Sequence, residues 1–153
     1  MRPEVYLVYG CPCSGKGEYI EEVVEPGDLI VSIDRIREAL TGKGPYDPAK
    51  GINTLVFGVR DYLFESVKIR RGRWNNAYIV GGFPLVSERE RLCKALGARQ
   101  IYVESTREEC IARLHASPYG RDMGVWEAYI DQWWSRFAPD EGMNAPLAAS
   151  KSE

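Results

Sequence analysis

The sequence predicts an α/β fold built around a parallel sheet. Short apolar segments alternate along the chain with longer segments of helical periodicity, as in successive strand–helix–strand units. The first apolar segment, Val5–Tyr9, is unbroken, which suits a central strand covered on both faces. Right-handed crossovers leave few strand orders to choose from. We expect a three-layer α/β domain with four parallel strands in the order 2-3-1-4.

The elements follow one another in a regular order. Strands are expected at residues 5–9, 29–31, 77–80 and 101–103. Helices are expected near residues 18–24, 33–40, 53–70, 87–97, 106–116 and 124–137. Two of these helices begin with capping-box spacing, formed by Ser87 with Glu90 and by Thr106 with Glu109.

Two helices are expected to bury a broad apolar face. In the segment 53–70 this face comprises Leu55, Val56, Val59, Tyr62, Leu63 and Val67. In the segment 124–137 it comprises Trp126, Tyr129, Ile130, Trp133 and Phe137.

Length and composition suggest one domain, at residues 1–138, followed by a flexible tail at 139–153. The 153 residues are 44% apolar, enough to close a single core. The net charge of -2 gives no general attraction to nucleic acid or to an anionic membrane. Four cysteines lack the spacing of metal knuckles, and no apolar run approaches the ~20 residues that cross a bilayer. We expect a cytoplasmic protein with free thiols.

A glycine-rich segment between the first strand and the first helix predicts a phosphate-binding loop. It reads G-x-x-x-x-G-K-G and consists of Gly10, Cys11, Pro12, Cys13, Ser14, Gly15, Lys16 and Gly17, with Glu18 next. Backbone N–H groups and the positive helix end would hold a β-phosphate, and the lysine would neutralise the β- and γ-oxygens. The expected ligands are ATP or GTP with Mg²⁺.

Gly17 stands where this loop usually carries a Ser or Thr hydroxyl that ligates Mg²⁺. Two explanations are open. Either other groups, such as Glu18 or Asp34, hold the metal through water, or the site binds nucleotide without rapid turnover. Cys11 and Cys13 lie near a helix N-terminus, where the pKa of a thiol can fall; they are either a redox switch or small loop residues without a chemical role.

Together with the segment VSIDRIR at 31–37, this loop resembles the P-loop kinases of nucleosides, nucleotides and polynucleotides, over roughly residues 4–137. The sequence is most similar to the kinase domain of bacteriophage-type polynucleotide kinases and to small phage-encoded ATP-binding proteins. The resemblance implies that Asp34 is the general base for the acceptor hydroxyl and that Arg37 holds the acceptor phosphate. It also implies that Arg113 and Arg121 close over the transferring phosphoryl group from a lid at about 113–124. Helices at about 35–75 would form the acceptor side.

Three of these roles have a structural alternative. Asp34 is also well placed to cap its helix, and the two lid arginines could be solvated. Residues 81–85, GGFPL, are similar to a turn of adenylate kinases, but Gly81 replaces its acid and Leu85 its arginine. Adenylate kinases also carry a fifth strand, which we do not expect here.

The sequence therefore predicts a phosphotransferase that moves a γ-phosphoryl group to a hydroxyl or phosphate acceptor, such as a nucleoside, a nucleotide or a polynucleotide 5′ end. The alternative is a nucleotide-binding regulatory module with little or no turnover. A basic cluster at Lys68, Arg70, Arg71 and Arg73, beside Trp74, either contacts nucleic acid or is a solvated helix end.

Overall fold

The computed structural model describes residues 3–46 and 51–139 and the strand at 147–148. Six helices lie in the described part of the chain: α1 Lys16–Val23, α2 Ile33–Thr41, α3 Asn53–Lys68, α4 Val86–Leu96, α5 Arg107–Ala116 and α6 Met123–Arg136. Its strands are β1 Val5–Tyr9, β2 Leu29–Ser32, β3 Ala77–Gly81, β4 Ala98–Tyr102 and β5 Leu147–Ala148. Every helix and strand expected from the sequence is present.

The strands form one parallel sheet in the order β2-β3-β1-β4-β5. The predicted order of the first four strands, 2-3-1-4, is confirmed. The two-residue β5 was not expected, and it lies within the segment 139–153 that was predicted to be a flexible tail. Residues 140–146 and 149–153 of that segment lie outside the described residues. Because a fifth strand is present, strand number no longer separates this chain from adenylate kinases.

The central strand is buried on both faces. In β1, Leu7 packs in a cluster with Val31 and Val67, while Val8 packs in another with Ile20 and Ile101. Successive side chains of a strand point to opposite faces, so these clusters are the two cores of a three-layer domain. The position of β1 in the middle of the sheet explains why its sequence is an unbroken apolar run.

One predicted helix start is wrong and another is confirmed. The residue that precedes α4 is Leu85, whose side chain makes no cap hydrogen bond, so Ser87 lies inside the helix and the Ser87–Glu90 capping box does not form. At α5 the capping box is present: Thr106 Oγ1 accepts from the Glu109 N–H, and Glu109 Oε1 accepts from the Thr106 N–H.

The predicted apolar face of α3 is only partly buried. Val56 and Val67 are buried, whereas Leu55, Val59 and Tyr62 are 63%, 37% and 59% exposed. Each residue advances a helix by about 100°, so these three side chains lie roughly 60–120° around the helix from Val56. Tyr129 of α6, also predicted to be buried, is 47% exposed. In both helices the apolar residues cover more of the circumference than the sheet can contact.

The topology brings three connections to one edge of the sheet. The loop after β1, the start of α2 after β2 and the turn after β3 all leave the carboxyl ends of parallel strands, where open α/β sheets bind ligands. Among the described residues, none of the helices combines the length and the apolar character needed to span a membrane.

Candidate functional site

The predicted phosphate loop after β1 turns the chain tightly into α1 and leaves the start of that helix without a side-chain cap. Cys13 and Gly15 have positive φ angles of 65° and 101°, which curl the chain directly into α1. A Cβ on Gly10 would lie 2.7 Å from the Val103 carbonyl oxygen, so only glycine fits there. Gly15 is the N-cap of α1 and has no side chain to offer the first N–H groups of that helix. They are therefore available to an anion.

Lys16, the first residue of α1, folds back over this loop. Its Nζ donates to the carbonyl oxygens of Gly10, at 2.7 Å, and Cys11, at 2.8 Å. Burial lowers the pKa of the Lys16 ammonium, while the nearby Cys11 and Asp34 act in the opposite direction. The loop thus places a partly buried cation at its own centre, as the predicted role of Lys16 requires.

The first turn of α1 is open around Gly17. A Cβ there would meet no atom within 4 Å. The Glu18 side chain is 69% exposed and lies 3.8 Å from Arg113. Among the described residues, His, Cys, Asp and Glu side chains form no group of three or more that could hold a metal ion.

Asp34 lies in the first turn of α2, facing the phosphate loop. The N-cap of α2 is Ser32, whose Oγ accepts from the Arg35 N–H at 3.4 Å, so the alternative that Asp34 caps this helix is wrong. Burial raises the pKa of the Asp34 carboxyl, and the positive charges of Lys16, Arg121 and Arg37 oppose this rise. The structure therefore brings Asp34 within electrostatic reach of three cations that the sequence singled out.

Arg37 lies one turn beyond Asp34 and connects α2 to α3. Its Nη2 donates to Asn53 Oδ1 at 2.6 Å. Asn53 is the first residue of α3, and sequence reasoning did not identify it as part of the site. In the sequence, Asn53 is recognisable only as a polar residue at the start of a helix. Such residues favour this position because their side chains can hydrogen-bond to nearby backbone groups.

Arg113, in the last turn of α5, lies across the phosphate loop. Its guanidinium is 3.2–3.3 Å from the position that a Cβ on Gly15 would occupy, and Nη1 lies 3.8 Å from Glu18 Oε1. The side chain is 45% exposed, so its pairing with Glu18 contributes little to stability. Its position above the loop fits the role expected of a lid arginine.

Arg121 also contacts this loop. Its Nη1 donates to Cys13 Sγ at 3.2 Å and its Nη2 to Ser117 Oγ at 3.4 Å. The guanidinium carbon lies 3.5 Å from the Tyr46 ring centroid and 4.5 Å from that of Trp126. Sequence reasoning missed Tyr46 and assigned Trp126 only to the core.

Three thiols lie in the loop or in contact with it: those of Cys11, Cys13 and Cys110. Cys11 and Cys110 are buried and hydrogen-bonded to each other, and none of the four cysteines forms a disulfide. Hydrogen bonds from Cys11 and Ser105 stabilise the Cys110 thiolate and lower the pKa of Cys110 to about 7. Burial raises the pKa of Cys13, and Arg121 opposes that shift.

The turn after β3 supplies packing rather than charge. A Cβ on Gly81 would lie 2.6 Å from the Phe83 ring, and the Gly82 carbonyl oxygen accepts a 2.9 Å hydrogen bond from Trp133 Nε1. Aromatic groups therefore fill the space beside the position at which the similar turn carries an acid.

The basic cluster after α3 is not part of this site. Arg70 stacks on Trp74 at 5.4 Å and Arg71 on Tyr62 at 4.9 Å. Both arginines precede β3, whose first residue pairs with the first residue of β1. They therefore lie near the amino-terminal edge of the sheet, opposite the phosphate loop.

Comparison with solved structures identifies the architecture. A gluconokinase from Sinorhizobium meliloti 1021 matches with a TM-score of 0.59 at 14% identity, over 98% of this chain and 85% of its own. A sugar kinase from a Janibacter species matches with a TM-score of 0.65 at 14% identity, over 96% of this chain and 84% of its own. The fold is that of the P-loop kinases.

A chain of the Pnkp1/Rnl/Hen1 RNA repair complex matches with a TM-score of 0.62 at 13% identity. The match covers 99% of this chain and 50% of the other, so this chain spans about half the length of that relative. No protein-family model matches the sequence, and no curated protein is significantly similar to it.

Proposed function

We propose that this chain is a phosphotransferase that moves the γ-phosphoryl group of ATP or GTP to an acceptor oxygen. The observation that carries the proposal is that the Asp34 carboxyl lies within electrostatic reach of Lys16, Arg37 and Arg121, at the carboxyl edge of the sheet where the glycine-rich loop also lies. A structural role for Asp34 as a helix cap is not available, because Ser32 occupies that position.

The donor nucleotide would bind with its β-phosphate at the N–H groups that begin α1. Residues Gly10 to Glu18 form this binding segment. On binding, the Lys16 ammonium would exchange its two carbonyl partners for β- and γ-phosphate oxygens, which are stronger acceptors because they are charged. Arg113 lies beside Gly15 and Arg121 beside Cys13, and both would stabilise negative charge on the transferring group.

The acceptor would bind between α2 and the lid. Asp34 would take the proton of the acceptor hydroxyl as its oxygen attacks the γ-phosphorus and the bond to the β–γ bridging oxygen breaks. Arg37, pinned by Asn53, would hold an anionic group of the acceptor. The segment containing α2 and α3 would then form the acceptor side, and residues 113–124 the lid.

Mg²⁺ would supply charge neutralisation between the β- and γ-phosphates, with Asp34 or Glu18 contacting it through water. The open space at Gly17 leaves room for such water. We further propose a cytoplasmic protein whose partners are a nucleoside triphosphate and a nucleoside, nucleotide or polynucleotide 5′ end, as in phage-encoded kinases of this kind.

A nucleotide-binding module without turnover is the second candidate. Two observations favour it: Gly17 offers no hydroxyl to the metal, and the turn after β3 carries Gly81 and aromatic packing instead of an acid.

A screen of acceptors with γ-³²P-labelled ATP tests the proposal. Nucleosides, nucleoside monophosphates, 5′-hydroxyl oligonucleotides and sugars are each incubated with the protein and Mg²⁺, and the Lys16→Ala variant controls for contaminating kinases. Transfer to one acceptor class that disappears in the variant supports the phosphotransferase. Nucleotide binding without transfer to any class would favour the module.

A further inference from the structure

The guanidinium of Arg121 is held in an aromatic corner. The rings of Tyr46 and Trp126 lie 5.2 Å apart at an interplanar angle of 76°, so they form two walls at nearly a right angle. The guanidinium carbon lies in this corner, 3.5 Å from one ring centroid and 4.5 Å from the other. Tyr119 packs edge-on against Tyr46 at 5.3 Å and supports the first wall.

The corner joins three separate parts of the chain. Tyr46 follows α2 on the acceptor side, Trp126 lies in the first turn of α6, and Arg121 lies between α5 and α6. From the corner, Nη1 of Arg121 reaches Cys13 Sγ in the phosphate loop at 3.2 Å. The aromatic contact therefore connects the segment after α2 with Arg121, which in turn contacts the loop.

A cation–π contact suits a residue such as Arg121, which must be held in position and yet remain able to move. Such contacts are worth roughly 0.5–2 kcal/mol and are less directional than a bidentate ion pair. Among the described residues Arg121 forms no ion pair with a carboxylate; its guanidinium donates to Cys13 Sγ and Ser117 Oγ instead. Its Nε is buried and has no hydrogen-bond partner among the described residues, so no hydrogen bond at this atom fixes the guanidinium.

We propose that Tyr46 and Trp126 are positioning residues, whose rings hold the Arg121 guanidinium against the phosphate loop ready for the transferring phosphoryl group. The effect on transfer rests on the proposed function; the placement of Arg121 does not. Neither ring needs to touch the substrate. Removal of either ring releases the guanidinium from the loop, while the rest of the phosphate site is retained.

The alkylation of the Cys13 thiol can be measured without any phosphoryl transfer, and it depends on where the Arg121 guanidinium lies. A nearby guanidinium favours the thiolate, so loss of Arg121 from Cys13 shifts the pH midpoint of alkylation upward, by about one unit. The other titratable groups that act on Cys13 or share its surroundings are Lys16, Cys11, Cys110, Tyr46, Tyr119 and Asp34. Peptide-resolved mass spectrometry after iodoacetamide treatment follows Cys13, and Cys93 on α4 serves as the internal reference.

Five proteins are compared: wild type, Arg121→Gln, Tyr46→Leu, Tyr46→Phe and Trp126→Leu. Tyr46→Leu and Trp126→Leu should each reproduce the upward shift of Arg121→Gln, whereas Tyr46→Phe, which keeps the ring and removes only the hydroxyl, should match wild type. Tyr46 lies outside the helices, so its variants should fold, and Trp126→Leu provides an independent second test.

In the transfer assay, Tyr46→Leu should lower kcat by about tenfold to a hundredfold with little change in KM for ATP. An unchanged Cys13 profile in both Leu variants would overturn the inference, whatever the activity. A shifted profile in a protein that transfers no phosphate would support the placement of Arg121 and overturn the proposed function instead.

Discussion

The Lys16 ammonium lies 2.7 Å from the carbonyl oxygen of Gly10, within the loop that the two residues delimit. A second carbonyl, that of Cys11, accepts from the same Nζ at 2.8 Å. The cation therefore already occupies the concave side of the loop and needs no large movement to meet a polyphosphate. Nucleotide binding exchanges two neutral acceptors for charged ones, which is the physical basis of the predictions below.

Asp34→Asn should abolish most phosphoryl transfer while nucleotide binding persists. The amide is isosteric but cannot take a proton, and general bases typically contribute about 10²–10⁴-fold to kcat. Steady-state transfer and nucleotide affinity are measured on the same preparation. Ser32→Ala, which removes the α2 cap, is the matched control: it should cost about 0.5–2 kcal/mol of stability but leave kcat much less affected. Equal losses of kcat in both variants would assign Asp34 a structural role.

The rate of transfer should fall at low pH, and the midpoint of this fall should lie above the ordinary pKa range of an aspartate. Burial raises the pKa of Asp34, and the base acts only when ionised, so activity falls as the pH drops through this raised pKa. The kcat/KM for the acceptor is measured against pH at saturating ATP. Arg37→Gln removes one of the opposing charges and should move the midpoint to still higher pH. A midpoint that moves to lower pH in this variant would contradict the assignment.

Arg113→Gln should lower kcat by about a hundredfold or more, because one donor to the developing charge is lost. The 45% exposure of the side chain implies little change in stability, which a thermal melt verifies. Arg91→Gln, the same substitution at an exposed arginine of α4, should leave kcat close to that of wild type. A normal kcat in Arg113→Gln would indicate that Arg113 is only a solvated residue in the last turn of α5.

Two glycines of the loop should respond in opposite ways to an added side chain. Gly10→Ala should destabilise the fold by about 1–3 kcal/mol, because its Cβ would lie 2.7 Å from the Val103 carbonyl oxygen. Gly17→Ser meets open space and supplies the hydroxyl that such loops usually offer to Mg²⁺. The Mg²⁺ concentration that gives half-maximal phosphoryl transfer should be severalfold lower for Gly17→Ser than for Gly17→Ala. Equal Mg²⁺ dependence in the two Gly17 variants would contradict a metal site beside α1.

The sequence predicted the parts of the site that depend on local rules. The phosphate loop is contiguous, and the carboxyl ends of parallel strands share one edge, so the approach of Asp34 to Lys16 follows from strand order. Asn53, Tyr46 and the second role of Trp126 depend on how separate helices pack, which periodicity does not encode.

The errors have the same origin. The Ser87–Glu90 spacing matches a capping box, but the chain enters α4 at Leu85 instead. In α3, Leu55 and Tyr62 are apolar and yet exposed, because the sheet covers only one side of the helix. A sequence pattern fixes what an element could bury, and tertiary packing decides what it does bury.

Isothermal calorimetry of ATP binding tests the central claim most directly. Wild-type protein is titrated with ATP in the presence and absence of Mg²⁺, and Lys16→Ala is titrated under the same conditions. The account predicts saturable binding by wild type that weakens about tenfold to a hundredfold in the variant, since a charge-assisted hydrogen bond is worth about 1.5–3 kcal/mol. Absence of ATP binding by wild type at millimolar concentration, or equal affinity in the two proteins, would contradict it.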